Sequence, residues 1–237
     1  MLTQRINFKN FQTKIKPKAN LKKKLSLLIK ENSEILKSLS KDYRNKFNKK
    51  KLIKYKKFSN FRVIGMGGSI LGTQAIYDFL KDKINKNFSF INNLQPIKKK
   101  DKEKKFINLI VSKSGETIET IVNSNLLVKK KDKNIFITEN KNSYLYLLAN
   151  KLKSEIIHHN NFIGGRYSVL SEVGMLPAEL MGLKSSDFKQ FNSLIKNKKF
   201  LNSLMLNVSS ILHFINQKKY NSILINYDEK SKNLLNW

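Results

Sequence analysis

The chain has 237 residues, 40 % of them hydrophobic, no cysteine and a formal net charge of +30 at neutral pH. That is enough apolar material for one large core or two small ones, the lack of cysteine excludes disulfide and thiolate chemistry, and no apolar stretch approaches the ~18 residues of a membrane span. The charge invites a nucleic-acid reading, but the lysines run from Lys9 to Lys232 without gathering on one element, and arginine, the better reader of bases, stands only at Arg5, Arg44, Arg62 and Arg166.

Specific nucleic-acid binding is therefore not expected. The opening MLTQRINFKNFQTKIKPK is polar and basic and lacks the apolar core of a secretory signal, so a cytoplasmic protein without a membrane partner is expected. Residues 1–57 read as a helical N-terminal segment, with Leu21, Leu25, Leu28, Ile29, Ile35 and Leu39 at helical spacing. Pro17 and the run RNKFNKKKLIKYKK from Arg44 punctuate it.

From Phe61 the texture changes. Short apolar strands are predicted at FRVIG, FSFIN, FINLIVS, NIFITE and SEIIHH. Helices are predicted over 70–81, at TIETIVNSNLLVK and at SYLYLLANKL. Several strands are apolar on both faces. This alternation predicts an α/β fold, a three-layer αβα sandwich with a mainly parallel sheet. Helices follow over 175–182, 187–197 and 201–216, and SILINY reads as one more buried strand. The expected organisation is 1–57, a sandwich domain over 58–184, and a closing region over 185–237.

Three stretches carry the chemistry. VIGMGGSILG, residues 63–72, is a strand, a glycine turn and a helix start. Its glycines let a ligand touch the backbone, and Ser69 stands where it caps the helix or donates to an anion. It departs from the dinucleotide fingerprint because Ile70 fills the third glycine position, and from a P-loop because Thr73 replaces the lysine. Close helix–strand packing explains the glycines equally well at this point. VSKSGETIET, residues 111–120, repeats the arrangement and brings Ser112, Lys113, Ser114 and Thr117 to a helix N-terminus. Hydroxyls, an ammonium and free N–H groups suit a phosphate monoester, whereas a plain helix cap would use the same hydroxyls with Glu116 or Glu119. In NFIGGRYSVLSEVGMLPAELMG, residues 161–182, Arg166 sits beside a glycine turn and could steady negative charge, or form a surface ion pair. His158, His159 and His213 are read as structural, Glu116, Glu119 and Glu172 as caps or helix-face residues, and no metal-ligand spacing is found.

Taken together, GMGGSILG, SKSGETIET and GGRYSVLSEVGMLP resemble the glucose-6-phosphate isomerase family. The last stretch resembles the signature specific to it; the first two are shared with sugar-isomerase (SIS) domains generally. The resemblance implies an SIS domain that interconverts glucose 6-phosphate and fructose 6-phosphate through a cis-enediol, without metal or cofactor. It implies that Ser112, Lys113, Ser114 and Thr117 hold the phosphate, that Gly68 and Ser69 line the sugar site, and that Arg166 stabilises the enediolate. It also implies a homodimer for the complete protein. The family's catalytic glutamate, histidine and lysine match no position here, and SKNLLNW resembles the segment shortly before that glutamate. The chain thus reads as an N-terminal portion, inactive alone, whose last region leads into a truncated second SIS domain. A non-catalytic phosphosugar-binding module is the alternative.

Overall fold

The computed structural model describes residues 19–94 and 105–237. Pro17 and the start of the expected helical segment lie outside them. The chain divides into two compact units, residues 19–43 with 189–225, and residues 44–188 with 226–237.

The first unit is helical. Helices α1 (Ala19–Lys30) and α2 (Glu34–Leu39) join α8 (Phe191–Leu194) and α9 (Lys198–Asn216), with α1 against α9. Ser33 caps α2 by accepting the Leu36 N–H at 3.3 Å, and Asn197 caps α9. The single helix expected over 187–197 is broken. A short 3₁₀ turn, Ser185–Phe188, and one turn of α8 replace it. Lys189 supplies the reason. Its side chain is buried, donates to the Ser38 carbonyl and lies 4.7 Å from the Tyr43 ring, so the chain bends to satisfy a cation rather than continue a helix.

The second unit is the expected sandwich. Strands β1 (Asn60–Gly65), β2 (Asn87–Ile91), β3 (Ile107–Val111), β4 (Lys133–Thr138) and β5 (Glu155–His158) form one parallel sheet in the order β2-β1-β3-β4-β5. Helices cover both faces, which is why β3 (INLIV) is buried at every position. Phe61, Val63, Leu109 and Ile135 face α3 (Lys49–Lys56), α4 (Leu71–Phe79) and α7 (Glu172–Met181). Ile64, Ile110 and Phe136 face α5 (Ile118–Leu127) and α6 (Tyr144–Lys151). Each such fully buried side chain contributes about 1.5–3 kcal/mol.

Polar side chains also cross the sheet. Arg62, Asn108 and Asn134 occupy one register row. Asn108 Nδ2 donates to Asn134 Oδ1 at 2.8 Å, and the Arg62 guanidinium lies 4.1 Å from the Phe106 ring. A one-residue slip would strand these groups among apolar neighbours, so the row fixes the register.

SILINY does not form a strand. Residues 221–228 are irregular, and Ile223, Leu224, Ile225 and Tyr227 are exposed. An apolar pattern makes a buried strand only beside a sheet edge, and none pairs with this stretch among the described residues. Helix α10 (Lys232–Asn236) follows and packs on α4, with Asn233 donating to Asp78 and Lys230 paired with Asp82.

Candidate functional site

Register places the site. Gly65 pairs with Val111, and Val111 with Ile137, so β1, β3 and β4 end level and their following turns open at one edge. The chain leaves β1 for β2 on one side and returns to β3 on the other. The switch point of the sheet therefore lies between the turns after β1 and β3, where open α/β sheets receive ligands.

The turn after β1 is tighter than its sequence predicts. Gly67–Ser69 form a 3₁₀ turn in which Met66 O accepts the Ser69 N–H at 3.1 Å. Helix α4 then begins at Leu71 with Ile70 as N-cap, and no side chain caps it. Of the two roles read for Ser69, the helix cap is not made, because the 3₁₀ turn takes Ser69 into itself and leaves Ile70 at the N-cap position. The helix runs to Phe79 rather than residue 81, ending in a second 3₁₀ turn at Lys81–Lys83.

Gly68 meets the third motif backbone to backbone. A Cβ built on Gly68 would lie 2.3 Å from Gly165 C and 2.7 Å from Arg166 N. Ser168 ties the contact: its hydroxyl donates to Gly165 O at 2.7 Å, with Gly68 O at 3.4 Å. Residues Gly165–Leu170 form a 3₁₀ turn ahead of α7. Arg166 is exposed at this junction and makes no ion pair among the described residues, so the surface pair considered from sequence is not formed.

The turn after β3 is a built loop. Ser112 is buried, its hydroxyl 3.0 Å from Thr117 Oγ1 and accepting the Gly115 N–H at 3.2 Å. Gly115 stands at φ +70, which turns the loop back toward α5. Ser114 Oγ accepts the Glu116 N–H at 3.2 Å. Thr117 is the N-cap residue of α5, but no side chain caps that helix. The N–H groups of Ile118, Glu119 and Thr120 thus have no intrahelical partner. The Thr120 hydroxyl, also in this first turn, is buried without a hydrogen-bond partner among the described residues.

Lys113, in the same turn, reaches toward the residues that follow β4 and β5. Its ammonium donates to Asn161 O at 2.6 Å and lies 3.5 Å from Glu139, which also pairs with Lys141 at 3.7 Å. Sequence reasoning missed Glu139 and Asn161. The polar run Thr138-Glu139-Asn140 directly after the apolar Ile135-Phe136-Ile137 was the signal available for Glu139. The backbone contact of Asn161 leaves no mark in residue type.

His159 follows β5 and is fully buried, with Nδ1 3.1 Å from Asn160 O and Nε2 unpartnered among the described residues. Burial pushes its pKa down, against the Asn160 carbonyl and the charges of Glu172 and Glu139, while Lys113 adds to the depression. Glu172 is not a solvent-facing helix residue: it is fully buried at the start of α7, where Oε1 accepts the Lys46 N–H at 2.9 Å. Both groups are built into the scaffold beneath the turns.

A parallel sandwich with two glycine–hydroxyl turns at its switch point defines a sugar-isomerase type of domain. The chain aligns over 92 % of its length with hypothetical protein TT0462 of Thermus thermophilus, at a TM-score of 0.69 and 20 % identity, covering 57 % of that chain. The sequence profile of phosphoglucose isomerase matches residues 27–225, and the chain belongs to that family. The glucose-6-phosphate isomerase of Methanocaldococcus jannaschii is 33 % identical over 208 residues, covering 78 % of this chain and 51 % of that protein. That of Acholeplasma laidlawii is 33 % identical over 208 residues, covering 74 % and 47 %. The chain spans about half the length of these curated relatives.

Proposed function

We propose that this chain is the phosphosugar-binding portion of a glucose-6-phosphate isomerase, with residues 58–184 as its first SIS domain. The observation that carries this is the uncapped start of α5. Its first-turn N–H groups have no intrahelical partner, and the loop that leads into it carries the Ser114 hydroxyl and Lys113, so a phosphate bound there would take up the N–H groups and draw on that hydroxyl and ammonium. Ser112 and Thr117 hold the loop in shape through their mutual contact as well as offering hydroxyl oxygens. Gly68 and Ser69 then line the sugar, with Arg166 beside them to stabilise an enediolate as a proton moves between adjacent carbons.

Family membership and the match to isomerases of M. jannaschii and A. laidlawii support this reading. On it, the complete protein is a cytoplasmic homodimer. Among the residues gathered at the edge, Glu139 is paired with two lysines and His159 is buried, so neither is free to act as base. These 237 residues alone are expected to bind but not to isomerise.

Calorimetry with fructose 6-phosphate and fructose, beside a coupled assay, tests this. Binding of the phosphorylated sugar only is expected, weakened at least about tenfold by Lys113→Ala, with no turnover. Equal binding of fructose would contradict the phosphate site. Turnover above background would contradict the statement about the base.

A further inference from the structure

The Lys113 ammonium has two oxygen partners, and they differ in what they lose when it leaves. One is the Asn161 carbonyl, which accepts from Nζ at 2.6 Å. Asn161 is exposed, so water can replace the lysine there. The other is the Glu139 carboxylate, whose side chain is only 15 % exposed. A mostly buried carboxylate stripped of its cation is strongly unfavourable.

Lys141 removes that obstacle. Lys113 lies 3.5 Å from Glu139 Oε1 and Lys141 lies 3.7 Å from Oε2, one ammonium to each oxygen. A charge-assisted hydrogen bond from an ammonium runs about 2.7–2.9 Å, so neither contact is a tight one. If Lys113 departs, Glu139 still has a cation beside it. The backbone of Lys113 stays in place meanwhile. Its carbonyl accepts the Glu139 N–H at 3.1 Å and the Thr138 hydroxyl at 3.4 Å, which pins the loop to the end of β4. Only the flexible four-carbon stem has to turn.

We infer that Glu139 is a positioning residue for Lys113: it holds the ammonium while no ligand is bound and, kept neutralised by Lys141, yields it to the phosphate of the sugar. This inference rests on the phosphosugar reading of the loop after β3. It makes Glu139 a competitor of the phosphate. Apparent affinity falls with the fraction of molecules in which the carboxylate retains Lys113. Removing the Glu139 charge therefore tightens binding. A carboxylate that only braced the turn would act in the opposite direction, because its loss would loosen the site.

The test is calorimetry of the full chain with fructose 6-phosphate, on variants that keep the unaltered melting profile. Glu139→Gln is expected to bind at least about threefold more tightly. A nearby negative charge also repels any anion, so the same substitution is made in a Lys113→Met background, where the gain should fall below about 1.5-fold. Lys141→Met provides an independent arm. It leaves Glu139 with Lys113 alone, and affinity should drop about threefold or more. Adding Glu139→Gln to Lys141→Met should recover that loss. Unchanged or weaker binding by Glu139→Gln would overturn the inference, as would an equal gain with and without Lys113, which marks a plain charge effect. Full affinity in Lys141→Met would overturn it as well. No binding of fructose 6-phosphate by the unaltered chain would overturn the phosphosugar reading and this inference together, whereas binding that ignores Glu139 overturns the inference alone.

Discussion

Gly68→Ala is expected to destabilise the α/β unit by about 1–3 kcal/mol and to weaken phosphosugar binding by roughly tenfold or more. The new Cβ would sit 2.3 Å from Gly165 C and 2.4 Å from Gly165 O. Both atoms are backbone, so no rotamer change relieves the overlap. The turns would have to part by roughly 1 Å to restore ordinary carbon contact. Arg166 moves with Gly165, and the Ser168 bridge stretches. Gly165→Ala is the contrast, because its Cβ would meet only Gly68 Cα, at 3.9 Å. That variant should melt close to the unaltered chain. Thermal denaturation and calorimetry of both variants check the asymmetry. Similar behaviour of the two would remove the argument that this backbone contact assembles the site.

Gly115→Ala is expected to cost about 2–4 kcal/mol and to disrupt the loop after β3. Two causes add. The residue stands at φ +70, which is strained for alanine by about 1–2 kcal/mol. Its Cβ would also lie 2.1 Å from Ser143 Oγ and 2.8 Å from Ser143 Cβ. Rotating the hydroxyl removes the first overlap but not the second. The double variant Gly115→Ala/Ser143→Gly removes both and leaves the backbone strain and a 3.0 Å approach to Thr138 Oγ1. Part of the lost stability should return, and a double-mutant cycle in urea measures how much. Full recovery would mean the left-handed conformation is not required, and no recovery would mean the overlap is not felt.

The strands were legible because their residues satisfy two faces at once. FINLIVS and NIFITE place consecutive apolar residues on both faces, and only a sheet covered on both sides buries such runs. The glycine turns were legible as turns. What touches them was not, because glycine carries no side chain whose chemistry names its neighbour. The contact of Gly68 with Gly165 joins residues far apart in sequence, and only the fold reveals it. Hydroxyl direction was equally hidden: Ser112 faces inward to Thr117 and Gly115. Pattern misled at 222–227, where a buried strand was expected and the apolar side chains are exposed. It misled again at Lys189, where one buried cation outweighs helix propensity.

The central claim is that the turns after β1 and β3 and the Gly165–Leu170 turn act as one phosphosugar site. Following the backbone amides of the isotope-labelled chain by NMR during a fructose 6-phosphate titration tests it most directly. The account predicts the largest saturable shifts at Ser114–Glu119, with smaller ones at Gly67–Ser69 and Arg166, and none at Lys51, Lys130 or Lys153. Shifts scattered over exposed lysines, or none at the start of α5, would contradict it.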